Sequence, residues 1–221
     1  MKKTIISCVL FLTAVTAFSQ TPMKTAAEAK LSASDLAVKI ADRILATTTY
    51  EFKNTKTGKT YKSVKNLPLD MNVKVACKYN NWHYTNGVTH IALMELADKT
   101  GAKKYDDYVL KNMNFVFNEG NLDFFKKQYE QAMKNEGWYG VRKLSWHMIF
   151  RGKRLDDNGP MGASLIDLQM KHPNNSFLNY INETAEHLNY GEPRLADGTI
   201  ARIWPHENTI CLLYTSPSPR D

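Results

Sequence analysis

Two alternating patterns of apolar and polar residues run through the middle of the chain. Residues 88–98 (VTHIALMELAD) are apolar almost all round, as in a helix buried on most sides. Residues 104–117 instead bear one stripe of Tyr105, Tyr108, Val109, Met113 and Val116, as in a helix with one wet face. The same order returns in 160–170 (PMGASLIDLQM) and in 176–189, whose stripe is Phe177, Ile181, Ala185 and Leu188. A constant offset of 72 residues lays the second pair on the first. Asn86-Gly87 falls on Asn158-Gly159, Leu93 on Leu165, Leu96 on Leu168, Tyr105 on Phe177, Tyr108 on Tyr180 and Val109 on Ile181. A repeated hairpin of one buried and one half-exposed helix is the unit of an α/α toroid or an α-solenoid. Burial is therefore expected all round 88–98 and 160–170, and on one side only in the other two helices.

Further helices are predicted from a Ser34 cap to about Thr47, with Leu36, Ile40, Ile44 and Leu45 on one face, and over 122–133 and 141–150. Residues 48–80, rich in Thr and Lys with a turn at Thr57-Gly58-Lys59, read as a long loop with room for a small hairpin. No strand-rich region competes with the helices, so the expected class is all-α.

The two ends read differently. Lys2 and Lys3 precede an apolar run from Ile5 to Val15, and Ala17-Phe18-Ser19 offers small residues for cleavage before Gln20. Residues 1–19 are thus a secretory signal peptide, and the mature chain is expected in the periplasm or outside the cell. The last eleven residues, CLLYTSPSPRD, resemble the translation of a transposon sequencing adapter, which leaves 20–210 as the natural domain.

Composition narrows the function. At 221 residues and 43% apolar the chain can bury a sizeable core. Of three Cys only Cys77 lies in 20–210, so no disulfide framework is possible there. The net charge of +7 falls to +5 without the two ends. The stretch of Lys53, Lys56, Lys59, Lys62 and Lys65 lacks interleaved aromatics and reads as a solvated loop with some attraction for an acidic polymer. No nucleic-acid partner, and no membrane partner after signal cleavage, is expected.

Phosphate-loop, dinucleotide, zinc-protease and nucleophile-elbow motifs are missing, and the six His show no i,i+4 pair. Chemistry must then rest on carboxylates and aromatics, which gather in three places. Asn81 to Gly87 (NWHYTNG) precedes the first buried helix and Arg154 to Gly159 (RLDDNG) the second, so a real repeat sets both loops on one face. Rings beside carboxylates and amides suit a sugar. The plain alternatives are that Asp-Asn-Gly is a turn with Asp157 capping a helix from Pro160, and that Trp82 and Tyr84 are core. The third cluster, residues 194–209, holds Arg194, Arg202, Trp204 and His206, which suit a substrate carboxylate or a surface connection.

Three strings then become specific in combination: WHYTNGV (82–88), LDDNGPMGA (155–163) and DGTIARIWP (197–205). In this order and spacing they resemble the unsaturated rhamnogalacturonyl hydrolases and their relatives, the unsaturated glucuronyl hydrolases, over about residues 35–210. The resemblance implies an (α/α)6 barrel, a six-hairpin toroid of twelve helices of which about the first half is present. It implies a glycoside hydrolase that acts on oligosaccharides left by polysaccharide lyases and needs no metal or organic cofactor. In such enzymes an Asp protonates the C4=C5 double bond of the terminal unsaturated uronic acid, water adds at C5, and the hemiketal opens. By motif, Asp157 matches the first essential carboxylate, with Asp156 its neighbour; Trp82, Tyr84, Asn86, Arg202 and His206 match or adjoin substrate-binding positions. The family continues after W-P-x-x-x-T with a Trp and, two residues later, the general-acid Asp. Here Cys211 and Leu213 stand in those places, so the chain as written is expected to be inactive. The alternatives are a non-catalytic carbohydrate-binding α/α protein and a helical-repeat interaction module.

Overall fold

The computed structural model describes residues 32–117, 120–151, 155–202 and 209–210. Residues 1–19, expected to be a signal peptide, His206 and the last eleven residues lie outside them. By contacts the chain divides at Met1–Lys39 and Ile40–Asp221, a boundary inside the first helix.

That helix, α1 (Ala33–Thr47), starts earlier than expected. Ser32 rather than Ser34 caps it: its hydroxyl accepts from the Asp35 amide at 3.1 Å and donates to the Asp35 carboxylate at 2.7 Å. The expected apolar face is only partly used, since Leu36 and Ile40 are exposed while Ile44 and Leu45 pack against the core. Residues 48–80 hold more than a hairpin. β1 (Phe52–Asn54) pairs antiparallel with β2 (Thr60–Tyr61) across the predicted turn, where Gly58 has φ 74, and with β3 (Val73–Val75) on its other edge. Two or three residues per strand are too few to show a period of two in the sequence.

The repeat is real in its helices. α2 (Tyr84–Thr100) and α3 (Lys104–Phe117) form the first hairpin, and α6 (Leu155–Lys171) and α7 (Asn175–Glu186) the second. The 72-residue shift superposes α2 and α6 to within one residue at each end. The two helices pack on each other, with Gly87 at the crossing: a Cβ there would lie 2.4 Å from the Pro160 carbonyl carbon and 2.5 Å from the Met161 nitrogen.

The all-round burial expected of α2 and α6 does not occur. α2 buries a stripe of Asn86, Gly87, His90, Leu93, Met94 and Ala97 and exposes Val88. In α6, Met161, Ser164, Leu165 and Leu168 are buried while Ile166 and Met170 are exposed. Apolar residues surround both helices in sequence, but burial follows only where α2, α3, α6 and α7 touch. The stripe of α3 is buried as predicted. That of α7 is buried fully only at Phe177, and Ala185 is exposed. A single π turn, His187–Gly191, follows α7.

Between the hairpins lie α4 (Asn121–Glu136) and α5 (Trp138–Val141). The helix expected over 141–150 is absent: a 3-10 turn at His147–Phe150 follows Trp146, whose φ of 63 no helix allows. Its apolar positions are nonetheless buried, Val141 and Leu144 under α4 and Met148 and Ile149 in the main core. The segment is spent on tying loops together. Ser145 Oγ accepts from the Val75 amide at 3.1 Å, and the Trp146 amide donates to Asn81 Oδ1 at 2.7 Å. From α4, Gln128 Nε2 donates at 2.7 Å to each of the Asp70 and Val73 carbonyls, clamping β3.

A chain of rings links sheet to second hairpin. Phe52 meets Phe125 at 5.9 Å, Phe125 stacks on Trp146 at 6.0 Å, Trp146 lies 6.4 Å from Trp82, and Trp82 stands edge-on to Tyr180 at 5.1 Å. Among the described residues, no helix is long and apolar enough to cross a membrane.

Candidate active site

The site starts from where α6 begins. The helix runs from Leu155, so Asp156, Asp157, Asn158 and Gly159 belong to its first turns. This removes the reading of Asp-Asn-Gly as a turn, and of Asp157 as the cap of a helix starting at Pro160. A carboxylate in the first turn of a helix sits where the unpaired backbone amides favour negative charge.

The next residue joins two of the three motifs. Asn158 is buried, and its Oδ1 accepts from Trp82 Nε1–H at 2.9 Å. Trp82 is fully buried between Trp146 and Tyr180, so its ring offers no face to a sugar. It holds the start of α6 in place instead. Asn86 is likewise buried, and its Nδ2 donates to the Lys78 carbonyl at 2.9 Å and the Asn81 carbonyl at 2.8 Å, pinning the loop that leads into α2. Both are positioning residues, where the sequence suggested contact with substrate.

Tyr84 is different. It is 47% exposed in the first turn of α2, with its ring 4.7 Å from that of His83. His83 is the N-cap of α2: its Nδ1 accepts from the Thr85 amide at 3.4 Å and bonds the Thr85 hydroxyl at 2.9 Å. Reading the sequence missed this, because His is not among the preferred cap residues.

The third motif forms a hairpin. β4 (Ala201–Arg202) pairs antiparallel with β5 (Thr209–Ile210), which places Arg202 opposite Thr209. The hairpin is led in by a tight turn at Asp197-Gly198, where Gly198 has φ 87 and Asp197 Oδ1 accepts from the Thr199 amide at 2.9 Å. That bond holds the Asp197 carboxyl below its usual range. Arg194 is committed to backbone, donating to the Gly198 carbonyl at 2.9 Å and the Leu188 carbonyl at 3.2 Å. The cluster's other arginine, Arg202, lies on β4.

Beside Asn158 opens a cleft of about 550 Å3, within the size range of small-ligand sites. Its walls alternate rings with charge: Tyr129, Phe150 and Tyr180 beside Asp123, Glu130 and Glu183. Burial pushes the Tyr180 hydroxyl upward, keeping it neutral and able to donate. At the far end His187 Nε2 meets the buried Glu192 carboxylate at 3.0 Å. The sequence offered no sign of this wall, which comes from α4, α7 and the 3-10 turn at His147–Phe150, elements without a motif. Among the described residues, no group of three or more His, Cys, Asp or Glu is arranged to hold a metal ion.

No curated protein matches the chain. The family model described as Glycosyl Hydrolase Family 88 matches residues 54–211, a stretch that contains all three motifs but begins later than residue 35, where the resemblance was placed. On that match, over most of its length, this mostly helical chain belongs to Glycosyl Hydrolase Family 88, the all-α toroidal family of the unsaturated glucuronyl and rhamnogalacturonyl hydrolases.

Proposed function

We propose that the protein derives from an enzyme that removes the 4,5-unsaturated uronic acid from the non-reducing end of lyase-generated oligosaccharides, by hydration of the C4=C5 bond. The observation that supports this best is the bond from Trp82 to Asn158, which joins the first motif to the first turn of α6 beside Asp157. In this reading Asp157 is the first essential carboxylate and orients water and substrate, with Asp156 beside it. Tyr84 lays its exposed ring against the sugar. Arg202, with His206 from the same motif, binds the uronate carboxylate, since a guanidinium can take a carboxylate with two parallel bonds. The protein acts after export, in the periplasm or outside the cell, once Ser19–Gln20 is cleaved.

Cys211 and Leu213 favour a second statement about this chain itself: it binds the unsaturated sugar and does not turn it over, because no carboxyl stands in the proton-donor place. The ultraviolet absorbance of the C4=C5 bond tests both. Incubated with an unsaturated uronyl disaccharide, the 221-residue chain is expected to leave the absorbance unchanged. The full-length enzyme, in which the sequence reads on from Ile210 through the family's Trp and Asp to the end of the barrel, is expected to abolish it. Turnover by the chain as written overturns the second statement; no turnover by the full-length enzyme overturns the first.

A further inference from the structure

Away from the cleft beside Asn158, a second concavity of about 440 Å3 lies between the segment after α1, the loop after β2 and one side of α3. Lys62, from the Lys-rich stretch, and Lys111, from α3, stand at its wall. Lys111 Nζ lies 4.4 Å from the centre of the Tyr50 ring. Asp107, the carboxylate of the same wall, is already paired with Lys103. Among the described residues, neither Lys62 nor Lys111 has a carboxylate within ion-pair distance, so the concavity keeps a positive balance.

Its floor holds two uncommitted oxygens. Tyr50 Oη and Asn114 Oδ1 are buried without a hydrogen-bond partner, and burial pushes the Tyr50 hydroxyl upward so that it stays a neutral donor. A buried polar atom left unpaired is unfavourable, and a ligand that reaches it relieves that cost. Two free ammonium groups, a phenol, an amide oxygen and an aromatic ring match one chemistry well: a carboxylate-bearing sugar.

We propose that this concavity is a secondary binding site for acidic oligosaccharides, with a uronate carboxylate held by Lys62 and Lys111 and sugar hydroxyls met by Tyr50 and Asn114. It rests on the proposed function only for the choice of an acidic sugar over other anions. A holding site apart from the reacting bond raises the effective concentration of a polymeric substrate's fragments at the enzyme.

The test is calorimetric titration of the chain with saturated trigalacturonate, which has no C4=C5 bond, beside neutral maltotriose and sodium sulfate. Trigalacturonate is expected to bind, about tenfold more weakly to the Lys62→Gln, Lys111→Gln double variant and about threefold more weakly to Tyr50→Phe. Maltotriose is expected not to bind, and sulfate not to displace the trisaccharide. Both lysines are exposed. The single variants are expected to give the same ranking, and they decide the matter if the double variant fails to fold. Unchanged affinity in the lysine variants, equal displacement by sulfate, or no binding at all overturns the proposal. Binding that persists while the full-length enzyme shows no turnover removes the reaction and leaves this site standing.

Discussion

The two helical hairpins share one pattern and use it differently. In the first, Asn86 spends its amide on the Lys78 and Asn81 carbonyls, Gly87 lies against the backbone of Pro160, and His90 and Met94 are buried. At the matching places of the second, Asn158 accepts from Trp82, Gly159 has open space around it, Gly162 replaces His90, and Ile166 is 47% exposed. Along that side of α6 runs an apolar groove of about 210 Å3 that includes Gly159, Gly162 and Ile166. The difference shows that the hairpin pattern specifies the helices, while a helix's burial depends on what is laid against it. α6 covers α2, and no described element covers the matching side of α6. In the function proposed above it also separates support from chemistry. Where the first hairpin has Tyr84-Thr85, a ring and the residue whose amide His83 caps, the second has Asp156-Asp157.

The largest expected effect comes from removing that chemical difference. In the full-length enzyme, Asp157→Asn is expected to lower kcat by at least about a hundredfold, as for loss of a group acting directly on the reaction. Circular dichroism and melting temperature should barely move. A rate near that of the parent would return Asp157 to a structural role.

Next is the close crossing. Gly87→Ala forces a Cβ into the Pro160–Met161 backbone and is expected to destabilise the fold by about 3 kcal/mol, read as a lower denaturation midpoint. A neutral result would mean that α2 and α6 do not approach this closely.

The buried His90 yields a pH dependence that Gly162 cannot. Its Nε2 lies 3.3 Å from Asn112 Nδ2 and its Nδ1 has no partner, and burial holds its pKa down to about 4 against 6.5 when unfolded. A base depressed in this way binds a proton more readily when unfolded. Its contribution to stability is therefore complete above about pH 6.5, falls as the pH drops towards 4, and levels off below that, for a loss of about 3 kcal/mol. Urea midpoints at several pH values should follow this course, and His90→Gln should flatten it. An unchanged slope in that variant would assign the dependence to carboxylates.

The smallest effect is at Gly159. Beyond its chain neighbours a Cβ there meets nothing within 4 Å, and the gain of alanine over glycine in a helix is opposed by the ring of the following Pro160, so Gly159→Ala is expected to move stability by less than about 0.5 kcal/mol. Destabilisation equal to that of Gly87→Ala would show the two hairpins to be packed alike.

The sequence by itself determined the helical class, the hairpins and their 72-residue repeat, because helix-forming periodicity is local and recurs over several turns. It also placed the three motifs that the family match later enclosed. Only the tertiary structure decided which sides of those helices are covered, since an apolar residue states a preference for burial without naming a partner. The same reason explains Trp82 and Asn86. Their residue types suited a sugar, but bonds to Asn158, Lys78 and Asn81 across the fold turned them into supports. Trp146 left its predicted helix because its amide is needed by Asn81, 65 residues away, and the three short strands arose from register between segments that separately have no period. Long-range hydrogen bonds of this kind leave no local trace, whereas the start of α6 at Leu155, which places Asp157 inside a helix instead of at its cap, was fixed by how the helix meets α2 at Gly87 and how Asn158 meets Trp82.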